Sequence, residues 1–113
     1  MSATIELVFD RTCPNADGAR AQLRVALARV GIAGEWTEWD RDAADSPPHV
    51  RRYASPTILV NGRDVVDSGA GGTTLDGMAG CRIYVDHSGT LSGVPPMEAL
   101  VAALVADGGG AGP

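Results

Sequence analysis

The first forty residues constrain this chain most. Residues 4–9, Thr-Ile-Glu-Leu-Val-Phe, are apolar and β-branched and predict a strand buried on most of both faces. Asp10, Arg11 and Thr12 break that run. From residue 14 to residue 30, Leu23, Ala26, Leu27 and Val30 fall three and four apart, with Arg20, Arg24 and Arg29 on other faces, so this stretch predicts a helix. Pro14 suits its first turn, where a missing N–H loses no helical bond, and Gly31 supplies a left-handed stop. A second strand is predicted at about residues 34–39, where Trp36 and Trp39 lie three apart, a spacing that suits an edge strand or a bulge. Strand, helix and strand in this order close through a right-handed crossover with the two strands parallel.

Ser46-Pro47-Pro48 reads as an N-cap with proline in the first turn of a short helix through about Tyr53. Residues 55–66 then predict a buried strand, an Asn61-Gly62 turn of the tight hairpin type, and a returning strand. Residues 67–80 are glycine-rich and aperiodic and read as one loop, long enough to expect mobility and a part in gating the site. Residues 81–85 predict another strand, and residues 95–106 a final helix with Leu100, Val101, Leu104 and Val105 on one side. The order predicts an α/β fold: a mixed β-sheet with a βαβ N-terminal unit, a ββα C-terminal unit and helices on both faces.

Length and charge narrow the function classes. A chain of 113 residues suits a single domain, here residues 1–106, followed by a flexible glycine-rich tail at 107–113. Nine basic against fourteen acidic residues give a net charge of −5 with no basic run, so nucleic acid is not an expected partner. The longest apolar run, residues 99–106, falls far short of the roughly 20 residues that cross a bilayer. The first residues, Met-Ser-Ala-Thr, lack the positive segment of a signal peptide, so a cytoplasmic protein with reduced thiols is expected. Two cysteines, Cys13 and Cys81, are too few for a disulfide scaffold or a four-cysteine zinc site.

Cys13 precedes the predicted helix, where the helix terminus and its free backbone N–H groups favour a thiolate. Arg11 and Arg20 could add positive potential, and Asp10 and Asp17 flank the thiol as possible proton carriers. The alternative is a small buried residue that fills a gap. Cys81 reads as a resolving thiol, a second soft-metal ligand or a core residue. His49 and His87 have no partners at metal-motif spacing, and Gly69-Ala70-Gly71-Gly72 lacks the Lys-Ser/Thr of a phosphate loop. No metal site and no cofactor is expected from these patterns.

Three segments carry a family resemblance: Phe9-Asp10-Arg11-Thr12-Cys13-Pro14-Asn15, the run from Ser55-Pro56-Thr57 through Asn61-Gly62 to Val65, and Cys81-Arg82-Ile83-Tyr84. In their order they resemble small bacterial thioredoxin-like proteins, some of which are labelled alkylmercury lyase-like. The resemblance implies a thioredoxin-like fold with Cys13 as the reactive thiol and Pro56 as a cis proline beside it. It makes Cys13 and Cys81 the candidate catalytic residues and Pro14, Ser55, Pro56 and Thr57 the candidate substrate-binding residues. Where the thioredoxin motif has its second cysteine this chain has Ala16, so dithiol exchange within one motif is excluded. The implied activity is thiol-disulfide exchange with a protein or small-molecule thiol or disulfide. One alternative is soft-metal chemistry, binding mercury or cleaving an organomercurial through Cys13 and Cys81. The other is a non-catalytic binding module on the same fold.

Overall fold

The structure is a computed structural model, and it describes residues 4–11, 13–32, 35–66, 73–76, 82–85 and 88–108. Strand β1 (Ile5–Phe9) leads into helix α1 (Ala16–Val30) and strand β2 (Thr37–Asp40). A 3-10 helix (Pro48–Arg52) precedes strands β3 (Thr57–Val60) and β4 (Arg63–Asp64). Strands β5 (Thr73–Asp76), β6 (Arg82–Val85) and β7 (Leu91–Ser92) follow, and helix α2 (Met97–Gly108) ends the described chain. The first four strands form one sheet in the order β2-β1-β3-β4, and the last three form a second in the order β5-β6-β7.

β1 is an inner strand. It pairs parallel with β2, Val8 opposite Trp39, and antiparallel with β3, Leu7 opposite Ile58, so the sheet is mixed as the sequence predicts. Alternation then sorts side chains to two faces. Ile5, Leu7, Ile58 and Val60 join Leu23, Ala26, Leu27 and Val30 of α1 and Leu100 and Leu104 of α2 in the main core. Val8 and Leu59 point the other way, against Val50, Trp39 and Tyr53. Trp36 packs on the main core and Trp39 on the opposite face. The strand expected at about residues 34–39 is the edge strand β2, which begins at Thr37, so Trp36 lies one residue before it and only Trp39 is a strand residue.

Helices on both faces were expected, but both α-helices share one face. The other carries only the 3-10 turn, held by Val50 N–H to Pro47 O at 3.2 Å and Tyr53 N–H to Val50 O at 3.3 Å. Two prolines in succession remove donors there, and Val50 is the turn's one fully buried apolar anchor among the described residues. α1 begins at Ala16, later than expected, so Pro14 lies in the turn before the helix. Gly31 ends α1 at φ 76° as predicted, with its N–H and that of Ile32 closing on Ala28 and Leu27 carbonyls.

The stretch 67–80, read as one loop, contains strand β5, paired antiparallel with β6. Thr73 and Thr74 are good strand residues, and the surrounding glycines hid them. The rest of that stretch lies outside the described residues, including Gly69-Ala70-Gly71-Gly72 and the mobility and gating expected there. The strand predicted at 81–85 is β6, in the second sheet rather than the first. The tail 109–113 also lies outside the described residues.

The hairpin between β3 and β4 turns on Asn61 at φ 52° and Gly62 at φ 81°. Asn61 Oδ1 also accepts the Thr4 N–H at 2.9 Å, tying the turn to the start of β1. Gly62→Ala is expected to lower stability by about 1 kcal/mol in urea unfolding, because a Cβ is strained in the left-handed region even where space is open.

Candidate functional site

The chain leaves β1 through a tight turn in which Cys13 N–H donates to the Asp10 carbonyl at 2.9 Å. Ala16 N–H then meets the Cys13 carbonyl at 3.5 Å, and α1 starts. Cys13 therefore sits at the junction the sequence predicts, but it is only 5% exposed. Its Sγ lies 3.8 Å from the carbonyl oxygen of Ser55, with the thiol donating. Residues far apart in sequence meet here because β1 and β3 are neighbours, so the end of one faces the start of the other.

Ser55, Pro56 and Thr57 are buried around this contact. The Ser55–Pro56 peptide is cis, as the resemblance implies. Thr57 Oγ1 donates to the Ala54 carbonyl at 2.6 Å, and the Tyr84 hydroxyl donates to the Pro56 carbonyl. Ser55 Oγ is buried and finds no hydrogen-bond partner among the described residues. An orphaned hydroxyl is costly in a protein interior, and among the described residues Ser55 Oγ is the buried side-chain polar atom that bears this cost.

Of the expected site residues, Cys13, Ser55, Pro56 and Thr57 come together. Pro14 is exposed beside Cys13. Cys81 lies outside the described residues, as does His87. His49 bonds to Glu6 Oε2 at 3.1 Å on the far face of the sheet. Among the described residues no group of three or more His, Cys, Asp or Glu could hold a metal ion, and no helix is long and apolar enough to cross a membrane.

The charges around the junction are mutually compensated. Arg11 Nε bonds Asp40 Oδ2 at 2.6 Å, and Arg20 Nε bonds Glu38 Oε2 at 2.8 Å while its other end meets Asp17. The Arg20 guanidinium also lies 5.1 Å from the Phe9 ring centroid. The two arginines expected to bias the thiol are thus held by carboxylates of β2 and α1, and their field at Cys13 is reduced. Asp17 is 93% exposed and engaged with Arg20, whereas Asp10 is buried at the turn.

The Arg20 hydrogen bond holds Glu38 below the ordinary carboxylate value of 4.5, against partial burial, which raises it, and with help from the Trp36 indole N–H. A carboxylate depressed by folding adds stability above its unfolded value and loses it as pH falls through the folded one. Glu38→Gln should therefore flatten the decline in stability below pH 4.5 relative to the parent, as read by urea midpoints across an acid titration.

Sequence reasoning gave no role to Tyr84, Asn15 or Gly93. Tyr84 signals only as an aromatic in a short strand. Asn15 occupies the helix N-cap, where an asparagine ordinarily caps, yet its side chain makes no capping bond. It lies instead over Gly93, where an added Cβ would fall 2.1 Å from Asn15 Nδ2. No family model matches this chain, and no curated protein or solved structure matches it either.

Proposed function

We propose that this chain is a thioredoxin-like thiol protein in which Cys13 exchanges with disulfides. The observation that carries the reading is the meeting of the Cys13 thiol, at the start of α1, with the Ser55 carbonyl just before Pro56. The sheet order β2-β1-β3-β4, with β2 parallel and β3 antiparallel to β1, is the arrangement expected of that fold and supports it.

In exchange, the Cys13 thiol loses its proton to solvent and the thiolate attacks one sulfur of the incoming disulfide. That S–S bond breaks, a mixed disulfide forms on Cys13, and the departing thiolate takes up a proton. Ala16 leaves no second thiol in the motif, so resolution falls to Cys81 or to an external thiol. Burial of Cys13 favours small disulfides over protein ones. The same burial favours the competing reading, a binding module in which Cys13 only fills space.

The two are separated with glutathione disulfide and the Cys81→Ser variant under native conditions. Exchange predicts a single glutathione added to Cys13, seen by mass spectrometry and lost in Cys13→Ser. An adduct that forms only in denaturant would overturn the exchange reading in favour of the binding module.

A further inference from the structure

The second sheet reaches the thiol site from two sides. Tyr84 of β6 is fully buried, and its hydroxyl bonds the Pro56 carbonyl, one residue from the Ser55 carbonyl that faces Cys13 Sγ. From the other side, the chain leaving β7 runs along the first turns of α1. Asn15 fills the space over Gly93, a Cβ at Gly18 would sit 3.1 Å from Val94 Cγ1, and Gln22 Nε2 donates to the Pro95 carbonyl at 3.2 Å. Positions 15, 18 and 22 share one face of the helix. Tyr84 pairs with Ser92 across β6 and β7, and Gly93 is the next residue, so both grips spring from adjacent points of one strand pair.

We infer that Tyr84 and Gly93 are positioning residues for Cys13: the β6–β7 pair fixes the loop carrying Ser55 and the turn carrying Cys13 against each other and keeps the thiol covered. Tyr84 acts through the Pro56 carbonyl, and Gly93 acts through Asn15. A reagent reaches Sγ when these two walls part, so weakening either grip raises the population of the open state. Only the consequence for disulfide exchange rests on the proposed reactivity of Cys13.

The test is native-state alkylation of Cys13 by iodoacetamide, at fixed pH and well below the melting temperature, with Cys81→Ser as the parent. Tyr84→Phe keeps the ring and deletes one hydrogen bond, which is expected to speed alkylation roughly fivefold. Gly93→Ala should act in the same direction, because Asn15 must swing away. Adding Asn15→Gly should return the rate to within about twofold of the parent, since glycine is tolerated at an N-cap. Val30→Ala, at the far end of α1, supplies comparable destabilisation away from the site and should leave the rate unchanged. Equal acceleration by Val30→Ala, or unchanged rates in both Tyr84→Phe and Gly93→Ala, would overturn the inference. Should Tyr84→Phe fail to fold, Gly93→Ala and its rescue decide alone. Acceleration without any glutathione adduct keeps the positioning role and removes the exchange reading; an adduct with unchanged rates does the reverse.

Discussion

Leu7→Ala is expected to cost about 3–4 kcal/mol, a large part of the roughly 5–15 kcal/mol that holds a domain of this size together. Leu7 is fully buried on the inner strand β1 and belongs to the cluster shared with Leu23 and Leu27 of α1 and Leu100 and Leu104 of α2. Truncation removes apolar area and leaves a cavity between a sheet and two helices, which cannot both close on it. Val105 is 57% exposed, and Val105→Ala should stay within about 0.5 kcal/mol. Urea unfolding of both variants checks the contrast, with the slope of the transition unchanged. A loss under about 1 kcal/mol for Leu7→Ala would mean that β1 is not the centre of the sheet. Cys13 hangs from the end of this strand, so its alkylation at intermediate urea should rise as Leu7→Ala unfolds.

What could be read from the sequence follows what is local. The period of residues 4–9 and 14–30 locates β1 and α1, and the crossover rule gives β2 its parallel partner from element order alone. Gly31 and Asn61-Gly62 signalled their turns because few other residues accept positive φ. The parts that stayed hidden depend on tertiary pairing. Arg11 and Arg20 read as cations near Cys13, yet the neighbouring strand β2 carries Asp40 and Glu38, which pair with both. Composition called 67–80 a loop, while β5 inside it exists because β6 supplies its ladder. That the Pro56 segment lies beside Cys13 is implied by resemblance alone, and the contact itself runs to the carbonyl of Ser55. Its degree of burial, and the grip of Tyr84 on the neighbouring carbonyl, had no signal in periodicity or spacing.

Glu6→Ala should cost about 2–3 kcal/mol although it deletes a charged residue, because the carboxylate organises the thinly covered face of the sheet. Its side chain is 12% exposed, and Oε2 accepts the Trp39 indole N–H at 2.8 Å and meets His49 Nε2 at 3.1 Å. One oxygen on β1 thus ties down the edge strand β2 and the 3-10 turn. That face has little apolar area to do the same work, since Val8, Val50 and Leu59 are the buried members of its cluster. Alanine removes the acceptor and leaves the indole N–H without one in a half-dry site, which costs more than the bond contributed. Glu6→Gln keeps a carbonyl oxygen for the indole and should lose less than about 1 kcal/mol. In a Trp36→Phe background the emission of Trp39 should shift toward that of a water-exposed indole in Glu6→Ala and remain near the parent in Glu6→Gln. Equal losses for the two variants would show that the methylene stem, and not the shared acceptor, holds the 3-10 turn to the sheet.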